Sequence, residues 1–144
     1  MNNYLFENLG VLKWKNRCLK KYFYLNPPAN IDLINEVKSK IFIKLPKAYE
    51  DFLLICNGLY SQGNLTLHEV QDLPERNNDY EVEKYLPDYF MIGDDNGGQA
   101  VLINEAGEIF EVGMGVMDIA FVEQSANSLE DLLINYKGKT LNER

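Results

Sequence analysis

This chain of 144 residues has little that suits covalent or metal chemistry. It holds one histidine, His68, and two cysteines, Cys18 and Cys56. A single imidazole cannot build a multi-histidine metal centre, and two scattered thiols supply neither a zinc cluster nor a disulfide framework. Both cysteines sit among apolar neighbours, which reads as core packing rather than reactivity. No G-x-S-x-G elbow, P-loop or dinucleotide fingerprint occurs. No apolar run approaches the roughly 20 residues that cross a bilayer. The start, MNNYLFENLGVLKWKNR, lacks a cationic segment before an apolar core and a small-residue cleavage site. These absences point to a non-enzymatic chain without cofactor, metal or membrane, and to a cytoplasmic address.

What the chain has is apolar mass and uneven charge. Hydrophobic residues make up 46%, with seven Phe, nine Tyr and one Trp, which excludes disorder and supplies the core of one domain over residues 1–144. Residues 1–50 carry nine Lys or Arg against four Asp or Glu, a balance of +5. Residues 51–144 carry five against eighteen, a balance of −13. Within Glu69–Asp95 there are nine acids and two bases. Such a field repels phosphate, so nucleic acid is an unfavourable partner. It attracts a basic protein.

Apolar spacing divides the chain into elements. On a helical wheel Val11, Leu12, Trp14, Cys18, Leu19, Tyr22 and Phe23 share one half, which predicts a helix over residues 11–24, with Lys15 out of pattern. Pro27-Pro28 breaks the chain, and Asn30 stands where a helix N-cap belongs. Leu33, Ile34, Val37 and Ile41 line one face of the helix that follows. Pro46 opens the next helix, Ala48, Tyr49, Phe52, Leu53 and Cys56 recur along it, and Gly58 suits a left-handed position after it. Leu65–Val70 alternates as a strand with one wet face, carrying His68 on its polar phase. Asp72–Leu86, rich in Pro, Asn and Asp, reads as an acidic loop. Val116–Val122 is an apolar segment read as a strand. Ser128 caps a closing helix from Leu129 to about Tyr136, with Asp131 three residues on.

The chain is organised around Met91–Val112. Strands are predicted at Tyr89–Ile92, Ala100–Asn104 and Glu108–Val112. The first turn carries Asp94, Asp95 and Asn96 before Gly97-Gly98. Its residue types are those of a calcium loop, but neither the D-x-[DN]-x-[DN]-G spacing nor the distal glutamate is present. A turn presenting acids at the surface fits better, because Asp and Asn favour turns through local hydrogen bonds. Together with the acidic segment this gives an expected partner-binding set of Asp72, Glu75, Asp79, Glu81, Glu83, Asp94 and Asp95.

The order of these pieces resembles a known superfamily. Pro28-Ala29-Asn30 precedes a helix, Ile43 to Leu53 reads IKLPKAYEDFL, and Asn57-Gly58 follows. Tyr89 to Asp94, YFMIGD, then meets Gly97-Gly98. Gly107-Glu108-Ile109-Phe110 and Ala126–Leu133 complete the series. Over roughly Pro27–Asn135 this is similar to the SUKH superfamily, in the branch named for the fungal Smi/Knr regulators of cell-wall glucan synthesis. The family often places an acid after the double glycine; here that residue is Gln99. Residues 1–26 lie outside the resemblance as a possible extra helix. The resemblance implies an α+β domain with a central, mostly antiparallel sheet flanked by helices. It also implies a protein-binding role: bacterial members resemble immunity proteins that neutralise a toxin, often a nuclease, and fungal members look like signalling scaffolds.

Overall fold

The structure is a computed structural model, and it describes residues 19–144. Seven antiparallel strands form one sheet in chain order, each paired with its neighbours in sequence. They are β1 (Phe23–Leu25), β2 (Leu59–Ser61), β3 (Thr66–Leu67), β4 (Phe90–Asp94), β5 (Gln99–Ile103), β6 (Ile109–Gly113) and β7 (Glu123–Ala126). The helices are α1 (Ile31–Lys38), α2 (Lys47–Ile55), α3 (Leu73–Asp79) and α4 (Val82–Tyr85). A closing π-helical turn spans Asp131–Asn135. The α+β architecture is the expected one.

The sheet is covered on both faces. Period-2 alternation sends Phe90, Ile92, Val101, Ile103 and Ile109 to one side, where α1, α2 and the closing turn pack. It sends Met91, Ala100, Leu102 and Val112 to the other, under Val82 and Leu86 of the α4 region. The middle strands β4, β5 and β6 are therefore apolar in both phases and almost wholly buried.

Local chemistry explains most of the element boundaries. The Asn30 side chain accepts the Leu33 N–H at 2.8 Å and caps α1. Ser128 Oγ accepts the Asp131 N–H at 3.0 Å, while the Asp131 carboxylate accepts the Asn127 N–H at 3.0 Å. The reciprocal bond thus reaches one residue further back than a capping box would place it.

Four expectations need correction. Of the helix predicted over residues 11–24, residues 11–18 lie outside the described residues. Residues 19–22 are helical, but Phe23-Tyr24 belong to β1, drawn into the sheet by pairing with β2 and by Tyr24 stacking on Tyr60 at 5.2 Å. The Leu65–Val70 strand shortens to Thr66–Leu67. The acidic segment is not a loop: Pro74 sits in the first turn of α3, where its missing N–H does no harm, so the residue read as a breaker starts a helix. Val116–Val122 is not a strand. Asp118 accepts the Ala120 N–H at 2.9 Å and tightens a 3₁₀ turn at Ile119–Phe121, and the strand follows as the polar β7.

Candidate functional site

The Asp94–Gly98 turn is a knot of hydrogen bonds. Asp94 ends β4 and Asp95 faces Gln99 across the hairpin, with the Asp95 N–H bonded to the Gln99 carbonyl at 3.0 Å. The residues between turn through left-handed conformations at Asn96 (φ 58) and Gly98 (φ 98); Gly97 is not one of them. Asp95 Oδ1 accepts the Gly97 and Gln99 N–H groups at 2.8 and 2.9 Å. Asp94 Oδ1 accepts the Asn96 N–H at 2.9 Å, and the Asn96 side chain donates to Asn64 O and Thr66 Oγ1.

His68 enters here. Its Nε2 lies 2.7 Å from Asp94 Oδ2, and the ring is mostly covered rather than exposed. Burial would lift the Asp94 carboxyl. The His68 hydrogen bond, the Asn96 N–H and the charges of His68 and Arg76 outweigh it and hold Asp94 below its ordinary range. A histidine–carboxylate pair is two members of a hydrolytic triad, yet no hydroxyl or thiol among the described residues bonds to the ring. Cys56 is buried, and burial pushes its thiol up to about 12, so it offers no thiolate.

Asp94 and Asp95 therefore do not present acids to the surface. They are 7% and 3% exposed, and every carboxylate oxygen of the pair accepts a bond from the protein or faces His68, Asn142 reaching Asp95 Oδ2 at 3.3 Å. A carboxylate in this position costs far less to bury when N–H donors surround it. Their role is to close the β4–β5 hairpin and tie it to β3. Among the described residues, no three His, Cys, Asp or Glu side chains are grouped so as to hold a metal ion.

The other five predicted acids behave differently. Asp72, Glu75, Asp79, Glu81 and Glu83 are all exposed. Glu75, Glu81 and Glu83 line an open groove of about 850 Å³ between the α1–α2 connection and the α3–α4 helices. Asp72, Glu75 and Asp79 line a smaller adjoining hollow of about 330 Å³ beside Arg76 and Tyr80. Glu75 is shared, so the acids form one continuous face, and Lys40 and Lys84 line the same groove. Glu81 takes φ 53, a left-handed conformation uncommon for a residue with a Cβ, at the sharp bend between the two helices.

Two residues that the sequence reading did not single out hold this face and the sheet together. Asn77 is buried and acts as a substitute strand: its Nδ2 donates to Met91 O at 2.9 Å and its Oδ1 accepts the Met91 N–H at 2.8 Å. One amide thus satisfies the part of the β4 edge that short β3 leaves open. Glu111 is 1% exposed; its Oε2 accepts from Ser125 Oγ at 2.7 Å and from the Leu141 N–H at 2.9 Å. Its Oε1 is buried with no partner among the described residues. Burial pushes the Glu111 carboxyl up against these bonds and the Arg144 charge. Glu111 was legible, since it shares the inward phase of β6 with Ile109. Nothing in the sequence marks Asn77 out from its polar neighbours.

Sheet order and helical cover define a single-sheet α+β domain in which the polar side chains of the central turn are committed to structure. The sequence model of the SMI1 / KNR4 family (SUKH-1) matches residues 28–135, and the chain belongs to that family. No curated protein sequence matches the chain. Among the described residues, no helix is long and apolar enough to cross a membrane.

Proposed function

We propose that this chain is a non-enzymatic protein-binding domain, an immunity protein that neutralises a cationic toxin domain, with nucleases the first class to test. The observation that carries the reading is the continuous exposed face of Asp72, Glu75, Asp79, Glu81 and Glu83 along α3, α4 and the residues that lead into each. Nuclease active faces are basic because they bind phosphate, so an acidic face can occupy the same electrostatic footprint. Family membership supports a protein-interaction role.

The test is to mix the purified protein with the basic domain encoded in the adjacent reading frame and follow association at rising salt. Complex formation should be fast and strongly salt-dependent, and replacing the five acids by Lys should slow association by about 10- to 1000-fold. A complex indifferent to both salt and the replacements would remove the acidic face from the interface. A deletion strain with altered envelope integrity and no toxin sensitivity would favour a regulatory scaffold of the glucan-synthesis type instead.

A further inference from the structure

The acidic helices are not alone on their side of the sheet. Between β6 and β7 the chain runs Met114–Val122, apolar at most positions, and divides its side chains in two. Met114, Met117 and Val122 root the loop in the same apolar cluster that carries Val82 and Leu86 of the α4 region. Val116, Ile119 and Phe121 point away from it, and Ile119 and Phe121 are 60% and 59% exposed.

The loop is built rather than loose. Its N–H groups bond inward, Met114 to Gly98 O at 2.7 Å, Val116 to Gly113 O at 3.1 Å and Phe121 to Asp118 O at 2.9 Å, and Asp118 caps the turn. A held turn that exposes large apolar side chains has lost little further entropy to give up on binding. Clustered exposure of this kind is what contact surfaces look like before they are covered.

Charge selects the occupant. Between Lys84 and Lys137 there is no Lys or Arg, while ten Asp or Glu occur, of which all but the buried Asp94, Asp95 and Glu111 reach the surface. The loop itself carries exposed Asp118 and is followed by exposed Glu123. A second copy would bring two acidic surfaces together, and an anionic bilayer would be repelled likewise. A protein surface with an apolar pocket ringed by Lys and Arg matches both features. We propose that the Met114–Val122 loop is the apolar anchor of the interface, with Ile119 and Phe121 entering such a pocket on the basic partner. The inference rests on the protein-binding reading above. The acidic face then sets the rate of encounter, and the anchor sets how long the complex lasts.

The experiment uses the full chain, the Ile119→Ser/Phe121→Ser variant and the five-acid reversal against the basic domain from the adjacent reading frame. Unchanged melting of the loop variant establishes that it folds, as expected for exposed positions. Its affinity should fall about 30-fold or more, mainly through faster dissociation, with the salt dependence retained. A wild-type complex that the loop variant forms equally well overturns the anchor and leaves the binding reading intact. No wild-type complex at low salt overturns both. Concentration-dependent dimers of the isolated chain, abolished by the same substitutions, would assign the loop to a second copy and overturn the proposal.

Discussion

Asp94 and Glu111 are both buried carboxylates, and their surroundings push them in opposite directions. Asp94, held below its ordinary value of 3.8, contributes stability that is present above that value and is lost as pH falls through the lower folded value. Removing its partner should expose the dependence: His68→Ala leaves Asp94 Oδ2 short of a donor and is expected to cost about 1–3 kcal/mol in urea unfolding near neutral pH. A variant as stable as the parent would show that the pair contributes nothing. Glu111, raised above its ordinary value of 4.5, acts the other way. Its protonated form is favoured by folding, so its contribution is full below 4.5 and is lost as pH rises through the higher folded value. Glu111→Gln removes the charge while keeping an acceptor for Ser125 and Leu141. The stability of Glu111→Gln relative to the parent should therefore improve as pH rises above 4.5 and level off once the higher folded value is passed, and a difference flat throughout would contradict the buried-charge account.

At the scale of elements, the weak points of the sheet are closed by side chains rather than by longer strands. Asn77→Ala would leave the Met91 N–H and carbonyl unpaired and detach α3 from the β4 edge. We expect a loss of about 3 kcal/mol and faster hydrogen exchange at the Met91 amide. Protection at Met91 equal to the parent's would mean that the edge is satisfied some other way. The same contrast separates what was legible from what was not. The helices α1 and α2 and the strands β4, β5 and β6 follow from periodicity and turn chemistry local to each element. The two-residue strand β3 and the polar strand β7 owe their state to a neighbour's ladder, which no local pattern encodes. Gly93 shows this well: a Cβ there would collide with the Thr66 carbonyl, a constraint set by a strand 27 positions earlier in sequence. The acidic residues were visible as a charge cluster, but sequence alone could not separate the exposed five from the buried Asp94 and Asp95. Only the hydrogen bonds of the hairpin make that division.

At the scale of the molecule, residues 140–144 run across the end of the sheet. Glu143 accepts from the Asn64 N–H at 3.3 Å, Asn142 reaches Asp95, Leu141 donates to Glu111, and Arg144 Nη1 donates to Ser125 O at 2.6 Å. The segment thus touches the β2–β3 turn, the β4–β5 turn, β6 and β7. It lies outside the residues that the family model matches. Removing residues 140–144 should destabilise the domain by about 3 kcal/mol, chiefly by stranding the Glu111 carboxylate. The loss should be smaller in the Glu111→Gln background, and equal losses in both would place the cost elsewhere.

The strand order has a kinetic consequence. Because every ladder joins strands adjacent in the chain, β2–β3, β4–β5, β5–β6 and β6–β7 can form as local pairings, whereas β1–β2 and β3–β4 must each close a connection that carries two helices. The terminal segment adds a still more distant closure on the β2–β3 turn, 79 residues apart at Glu143 and Asn64. That contact belongs late in folding, so substitutions in the terminal segment should hasten unfolding and leave the refolding rate nearly unchanged. The molecule would then be quick to form and slow to open only as long as its last few residues stay in place.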